Sequence, residues 1–216
     1  NGMKKVEVVF IRGIMALVAM VVMVGCGKNT GRTLTSAIGS IYECLVVMNE
    51  NPLTQEQLNE VAKLSLVNEA SGYTEPVTTT YDLVEAVMAA DMPCMPQVEP
   101  YFRITNVSMS HFDDMFKPTR NILFVDINPQ KYTQLKTKVS RDYWSKPQAV
   151  CRIQSPSQED FVAYWLAHGE EIREWFVGQE IQRQTKFYRA STNKDARALM
   201  QKQGYDMLIP EDYIVL

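Results

Sequence analysis

Three short apolar runs constrain this fold more than any other feature: "YECLVVM" at 42–48, "NILFVDI" at 121–127 and "QAVCRIQ" at 148–154. Each is seven residues long, and polar or turn-forming residues bound it. That length suits a strand, and the near-continuous apolar character marks a buried one. Asn128-Pro129 turns the chain after the second run. Weaker patterns add "YFRIT" (101–105) as a strand and "KTKVSRD" (136–142) as an edge strand. "DMLIP" and "DYIVL" near the end of the sequence also read as strands.

Helix signals stand between these runs. Thr54 and Gln57 match a capping box ahead of Leu58, Val61, Ala62 and Leu66, with an expected end near Ser71-Gly72. A second helix is expected from about Thr80 to Ala90, on an apolar face of Leu83, Val84, Val87 and Met88. Three prolines within 91–100 make that stretch a loop. Phe112, Met115 and Phe116 suggest one or two helical turns. Ser155, Pro156 and Gln158 predict a strong helix start. Behind it Phe161, Trp165, Ile172 and Phe176 recur on one helical face and predict core. That helix should run toward Tyr188, with a break near Gly178. A last one should run from an Asn193 cap to Gly204. Helices and strands mix without strict alternation. The expected class over 41–216 is therefore α+β, a mixed, mostly antiparallel sheet with helices packed on one face.

The amino-terminal part reads as an address. Met3, Lys4 and Lys5, with Arg12, form a basic region, and residues 13–25 carry no charge. The apolar stretch 14–24 has the length of a signal-peptide core and is short of the ~20 residues a membrane span needs. Gly25 is small, and the next residue is Cys26. "MVGC" resembles the bacterial lipobox, which implies a diacylglycerol on the Cys26 thiol, cleavage before it, and acylation of the new amino terminus. A thiolate is suited to that alkylation, and two or more acyl chains hold a protein stably on a bilayer. Gly27, with no acidic residue after the cysteine, implies in such lipoproteins the outer membrane, facing the periplasm. Residues 26–40 are Gly/Ser/Thr-rich and read as a flexible tether.

The net charge of the chain is −3. Without residues 1–25, which carry three basic side chains and one acidic, it is −5. That balance gives no basic face for nucleic acid. Cys44, Cys94 and Cys151 form no C-x-x-C pair. Buried inert thiols are expected at Cys44 and Cys151, although an exported protein could form one disulfide among the three.

Several stretches carry a family pattern: "MPQVEP" (95–100), "PTRNILFVDI" (118–127), "RDYWSKPQAV" (141–150), "QEIQR" (179–183) and "IPEDY" (209–213). In this order, behind such a leader, they resemble the domain of unknown function 4837 family, envelope lipoproteins of Gram-negative gut-type bacteria. The resemblance spans residues from about 41 onward and fits 50–92 less well, where an insertion is expected. It implies an envelope address and a further C-terminal portion beyond "YIVL". It implies no activity, because that family has none established.

No catalytic, metal or cofactor set is read from the sequence. No G-x-S-x-G, Walker loop, H-E-x-x-H or G-x-G-x-x-G occurs. His111 and His168 lack ligand-spaced partners, and His168 beside Glu170 and Glu171 suits a solvated helix face. Asp113 and Asp114 are adjacent, so on a helix they diverge. The candidate residues are Arg120, Arg141 and Asp142. Arg120 and Arg141 could hold an anionic ligand, or lock the sheet to the helices as ion pairs with Asp142 or Glu180. Glu180 and Arg183, one turn apart, could also pair with each other. The leading functional expectation is a non-enzymatic envelope lipoprotein, attached to the membrane by its lipid and acting through an envelope protein partner. A small anionic-ligand-binding lipoprotein is the alternative. A hydrolase would need Asp113, Asp142, Glu170 or His168 to converge.

Overall fold

The computed structural model describes residues 33–63 and 76–213. The leader, Cys26 and the expected helix end near Ser71-Gly72 lie outside them, as do residues 214–216 of the last predicted strand. The described elements are β1 (Thr35–Ser36), β2 (Glu43–Met48), α1 (Gln55–Lys63), α2 (Thr80–Met88), β3 (Arg103–Val107), β4 (Asn121–Ile127), β5 (Lys136–Arg141), β6 (Ser145–Lys146), β7 (Ala149–Ser155), α3 (Gln158–Ala190) and α4 (Lys194–Lys202). A short 3-10 turn covers Met109–His111.

The class is α+β, with a mixed five-stranded sheet of order β3-β2-β4-β7-β5. Its strand directions differ from expectation. β3, β2, β4 and β7 run parallel, and only β5 is antiparallel, to β7. The physical reason is in the connections and in the strands. Parallel neighbours need a crossover of about a dozen residues or more, and the β2–β3 link carries α1 and α2. Strands buried on both faces read as continuous apolar runs, and β4 and β7 do so.

One face of the sheet presents Cys44, Val46, Met48, Leu123, Val125, Ala149, Cys151 and Ile153 to the helices. There Phe161, Trp165 and Phe176 are fully buried, and the Trp165 indole donates to the Leu83 carbonyl at 3.0 Å. The opposite face presents Leu45, Val47, Ile122 and Val150. No helix among the described residues covers it. It is covered instead by Met109, Phe112 and Phe116 from the β3–β4 connection, and by Trp144.

Local signals acted largely as they read. Thr54 and Gln57 exchange both capping-box bonds, at 2.9 and 3.3 Å. Thr79 and Asp82 close a second box on α2, and Asn193 caps α4. Helix α3 begins two residues later than Ser155 suggests, because β7 extends through Ser155 and Ser157 becomes the cap. It passes Gly178 unbroken, in open space. Strand β3 is shifted by two residues from 101–105. The segment around Phe112–Phe116 is turns, and residues 205–209 are irregular, with one bridge from Thr192 to Pro210. Residues 35–38, expected in the tether, pair with the fold: β1 lies parallel to β6, and the Ile38 amide donates to the Pro118 carbonyl at 2.9 Å. Cys44, Cys94 and Cys151 are free thiols. Cys44 and Cys151 stand on β2 and β7 with β4 between them, which puts about 10 Å between their backbones and forbids a bridge.

Candidate functional site

The three residues singled out in the sequence lie at the ends of strands where β2, β4 and β7 begin. Arg120, just before β4, places Nη2 at 2.8 Å from Oε2 of Glu180 on α3. Glu180 is fully buried, and its Oε1 takes the Arg183 guanidinium and the Asn121 amide, each at 2.7 Å. Asn121, also fully buried, donates as well to the Glu43 carbonyl at 2.8 Å. The anion in this cluster is thus the chain's own carboxylate. Burial pulls the Arg183 pKa down, against the opposing pull of Glu180. Arg120 also reaches the Gly39 carbonyl at 3.4 Å, so it joins the segment before β2 to helix α3.

Arg141 sits nearby and donates from Nε to the Gln179 side chain at 2.6 Å. Asp142 adopts φ of 52°, a left-handed turn that Asp tolerates. Its Oδ1 accepts the Gln148 amide at 3.1 Å, and Lys146 stands 3.7 Å from its Oδ2. Buried Gln148 then holds the turn: its Oε1 accepts the Trp144 amide at 2.8 Å, and its Nε2 donates to the carbonyls of Lys117 and Thr119 at 2.6 and 2.7 Å. The "RDYWSKPQ" stretch is therefore a scaffold that aims Trp144 over the sheet.

The residues considered for acid–base work have separate partners. His168 pairs with Glu171 at 3.0 Å on the exposed side of α3. Asp113 accepts the Met115 amide within its own loop. His111 contacts the Ser108 hydroxyl at 2.6 Å in an exposed turn. Among the described residues, no group of three or more His, Cys, Asp or Glu could hold a metal ion.

Where Trp144 points there is a cavity of about 220 Å³, lined by Met109, Phe112, Phe124, Asp126, Tyr132, Trp144, Arg152, Ile153 and Gln154. Pairing across β4, β7 and β5 puts Phe124, Arg152 and Lys138 in one row, and Asp126, Gln154 and Lys136 in the next. The second row lies toward the carboxyl ends of the parallel strands, the end where open sheets with parallel strands take ligands. The Arg152 guanidinium lies 4.4, 5.1 and 5.4 Å from the ring centres of Tyr143, Trp144 and Phe124. Such cation–π contacts hold the charge among the rings. Among the described residues no oxygen accepts a hydrogen bond from it.

Across the cavity, Asp126 Oδ2 accepts from the Tyr132 hydroxyl at 2.6 Å and from Lys131 Nζ at 3.1 Å. Gln154 donates to the same hydroxyl at 3.1 Å. Partial burial first, and the bond to Asp126 second, push the Tyr132 pKa up, so the phenol stays a neutral donor. The bond to Asp126 pushes Lys131 up. The arrangement is a ring-lined slot with one unpaired planar cation and one half-used carboxylate. That is a geometry suited to recognition.

Arg152 was not singled out from the sequence. A signal was there: it is the one charged residue inside "QAVCRIQ", at the position that faces away from the helices.

No curated protein and no solved structure matches the chain. A family model described as Domain of unknown function (DUF8532) matches residues 57–189. That span runs from α1 through nearly all of α3 and contains every residue lining the cavity. It covers more than half of the chain, which therefore belongs to this domain-of-unknown-function family.

Proposed function

We propose that this chain is a binding protein of the bacterial envelope, exported and held on a membrane by lipid on Cys26, that takes a small anion in the cavity beside Arg152. The observation that supports binding is the Arg152 guanidinium itself: held among three rings, at the rim of a slot, with no acceptor among the described residues. Arg in that state suits a carboxylate or phosphate. The lipobox-like "MVGC" and the basic, then apolar, leader support the address. The ordered stretches from "MPQVEP" to "IPEDY" support kinship with the 4837-type envelope lipoproteins, and Gly27 supports the outer membrane, facing the periplasm. This reading moves the anion site from Arg120 and Arg141, which meet Glu180 and Gln179, to Arg152.

The test is a thermal-shift screen of the full chain against cell-wall and dietary anions, repeated with Arg152→Gln. A shift that the variant loses supports the reading, and silence across a broad panel removes it. For the anchor, Cys26→Ala should leave membranes on high-salt washing. Retention would contradict it.

A second reading is an assembly role through a protein partner. It is favoured by Ile181, Phe187, Leu199, Tyr205, Met207 and Tyr213, large apolar side chains left exposed on and around α3 and α4. Cross-linking in living cells followed by affinity capture, with Cys26→Ala as control, separates the two.

A further inference from the structure

The cavity is small. At about 220 Å³ it falls below the ~300–1,000 Å³ of sites for drug-sized ligands. Its volume and its flat walls of Trp144, Phe112 and Phe124 suit one planar ring. Phe112 stands edge-on to Phe124 with ring centres 4.8 Å apart, and Trp144 is 5.6 Å from Phe112 and 5.7 Å from Phe124. An incoming ring extends that packing by the offset and edge contacts that aromatic groups prefer.

Polar groups stand at two points of this slot. Arg152 offers guanidinium donors, and Lys138 on the paired position of β5 adds positive charge beside it. Asp126 stands on the neighbouring strand one row along, about 8 Å away through the backbone spacing of a sheet. Tyr132 and Lys131 both use its Oδ2. Its Oδ1 has no partner among the described residues, so one acceptor remains for a ligand donor.

We infer that the ligand is a monocyclic aryl carboxylate with a hydroxyl or amino donor across the ring. Its carboxylate sits on Arg152, its ring lies among Trp144, Phe112 and Phe124, and its donor reaches Asp126. The inference rests on the reading of this cavity as an anion site. It names the class of anion.

Calorimetric titration of the full chain in detergent tests it, with 4-hydroxybenzoate as the probe. Benzoate, 4-hydroxybenzyl alcohol, cyclohexanecarboxylate, acetate and inorganic phosphate serve as comparators. The expected result is a Kd for 4-hydroxybenzoate tighter than about 1 mM. The uncharged alcohol and the non-aromatic acid should each bind at least about ten-fold more weakly, as should the ring carboxylates with Arg152→Gln. Asp126→Asn should narrow the gap between 4-hydroxybenzoate and benzoate, a ratio read within one variant that does not depend on the Arg152 variant folding. If acetate or phosphate binds through Arg152 and the ring carboxylates gain nothing over them, the aryl assignment is overturned and the anion site stands. If no probe binds, both are overturned. Binding that Arg152→Gln leaves intact also overturns the assignment.

Discussion

Arg120 and Glu180 meet in an ion pair of 2.8 Å across sixty residues of sequence, with the carboxylate wholly out of solvent. This contact ties the start of the central strand β4 to the long helix α3, and Arg183 and Asn121 complete it. A buried charge is tolerable only while its partners remain.

Replacing Glu180 with glutamine should therefore destabilise the fold by about 3–5 kcal/mol, because two guanidinium groups lose their counter-charge inside the protein. Urea denaturation of the variant measures it. A loss under ~1 kcal/mol would mean that water reaches the cluster.

Trp165 is fully buried and donates to the Leu83 carbonyl. Trp165→Ala should cost about 3–5 kcal/mol from lost packing and the cavity left behind. Trp165→Phe should cost less, about 1–3 kcal/mol, because it keeps a ring in the core and loses the indole's hydrogen bond and part of its volume. Equal losses in the two variants would contradict that division.

The two glycines inside α3 should respond in opposite ways. A Cβ at Gly178 meets nothing within 4 Å, so Gly178→Ala should stabilise by about 0.5–1 kcal/mol through helix propensity. A Cβ at Gly169 would stand 3.0 Å from the buried Trp165 ring, so Gly169→Ala should give no gain or a loss. Melting temperatures of the two variants, measured side by side, decide it.

Asp82 supplies the acid-sensitive cap of α2. Partial burial alone would raise its pKa, and bonds from the Thr78 amide, the Thr78 hydroxyl and the Thr79 amide, each at 2.9 Å, outweigh that and hold it below the ordinary value. A pKa depressed by folding contributes stability above the unfolded value, and that stability is lost as pH falls through the folded one. The stability difference between the native chain and Asp82→Asn should be present at about pH 6 and shrink as pH falls below the ordinary Asp range. Denaturation curves across that range check the sign.

Thiol chemistry should separate the cysteines. Burial pushes the Cys151 pKa to about 12, and burial pushes Cys44 up as well, with Cys151 adding to it. Cys94 is exposed. With Cys26 replaced by serine, a thiol reagent at neutral pH should modify Cys94 rapidly and leave the other two intact until the chain unfolds. Fast labelling at Cys44 would show that β2 is open to solvent.

Much of this protein was decided locally and is readable in the chain. Capping pairs such as Thr54 with Gln57, and the stripe from Phe161 to Phe176, act between residues a few positions apart, so propensity and periodicity suffice to find them. The apolar runs at 121–127 and 148–154 identify buried strands for the same reason. Their direction does not follow from the order of elements, because parallel or antiparallel pairing depends on how each connection crosses the sheet. The site is non-local in the same sense. Arg152 reads as one odd charge in an apolar run until β4, β7, the β3–β4 connection and the turn held by Gln148 bring Phe124, Phe112 and Trp144 around it. Those contacts join segments tens of residues apart, and only packing in three dimensions selects them. By itself the sequence determined the three buried strands, the capping pair at Thr54 and Gln57 and the core face of α3. The tertiary structure decided which arginine is consumed by a carboxylate and which is left to face a cavity.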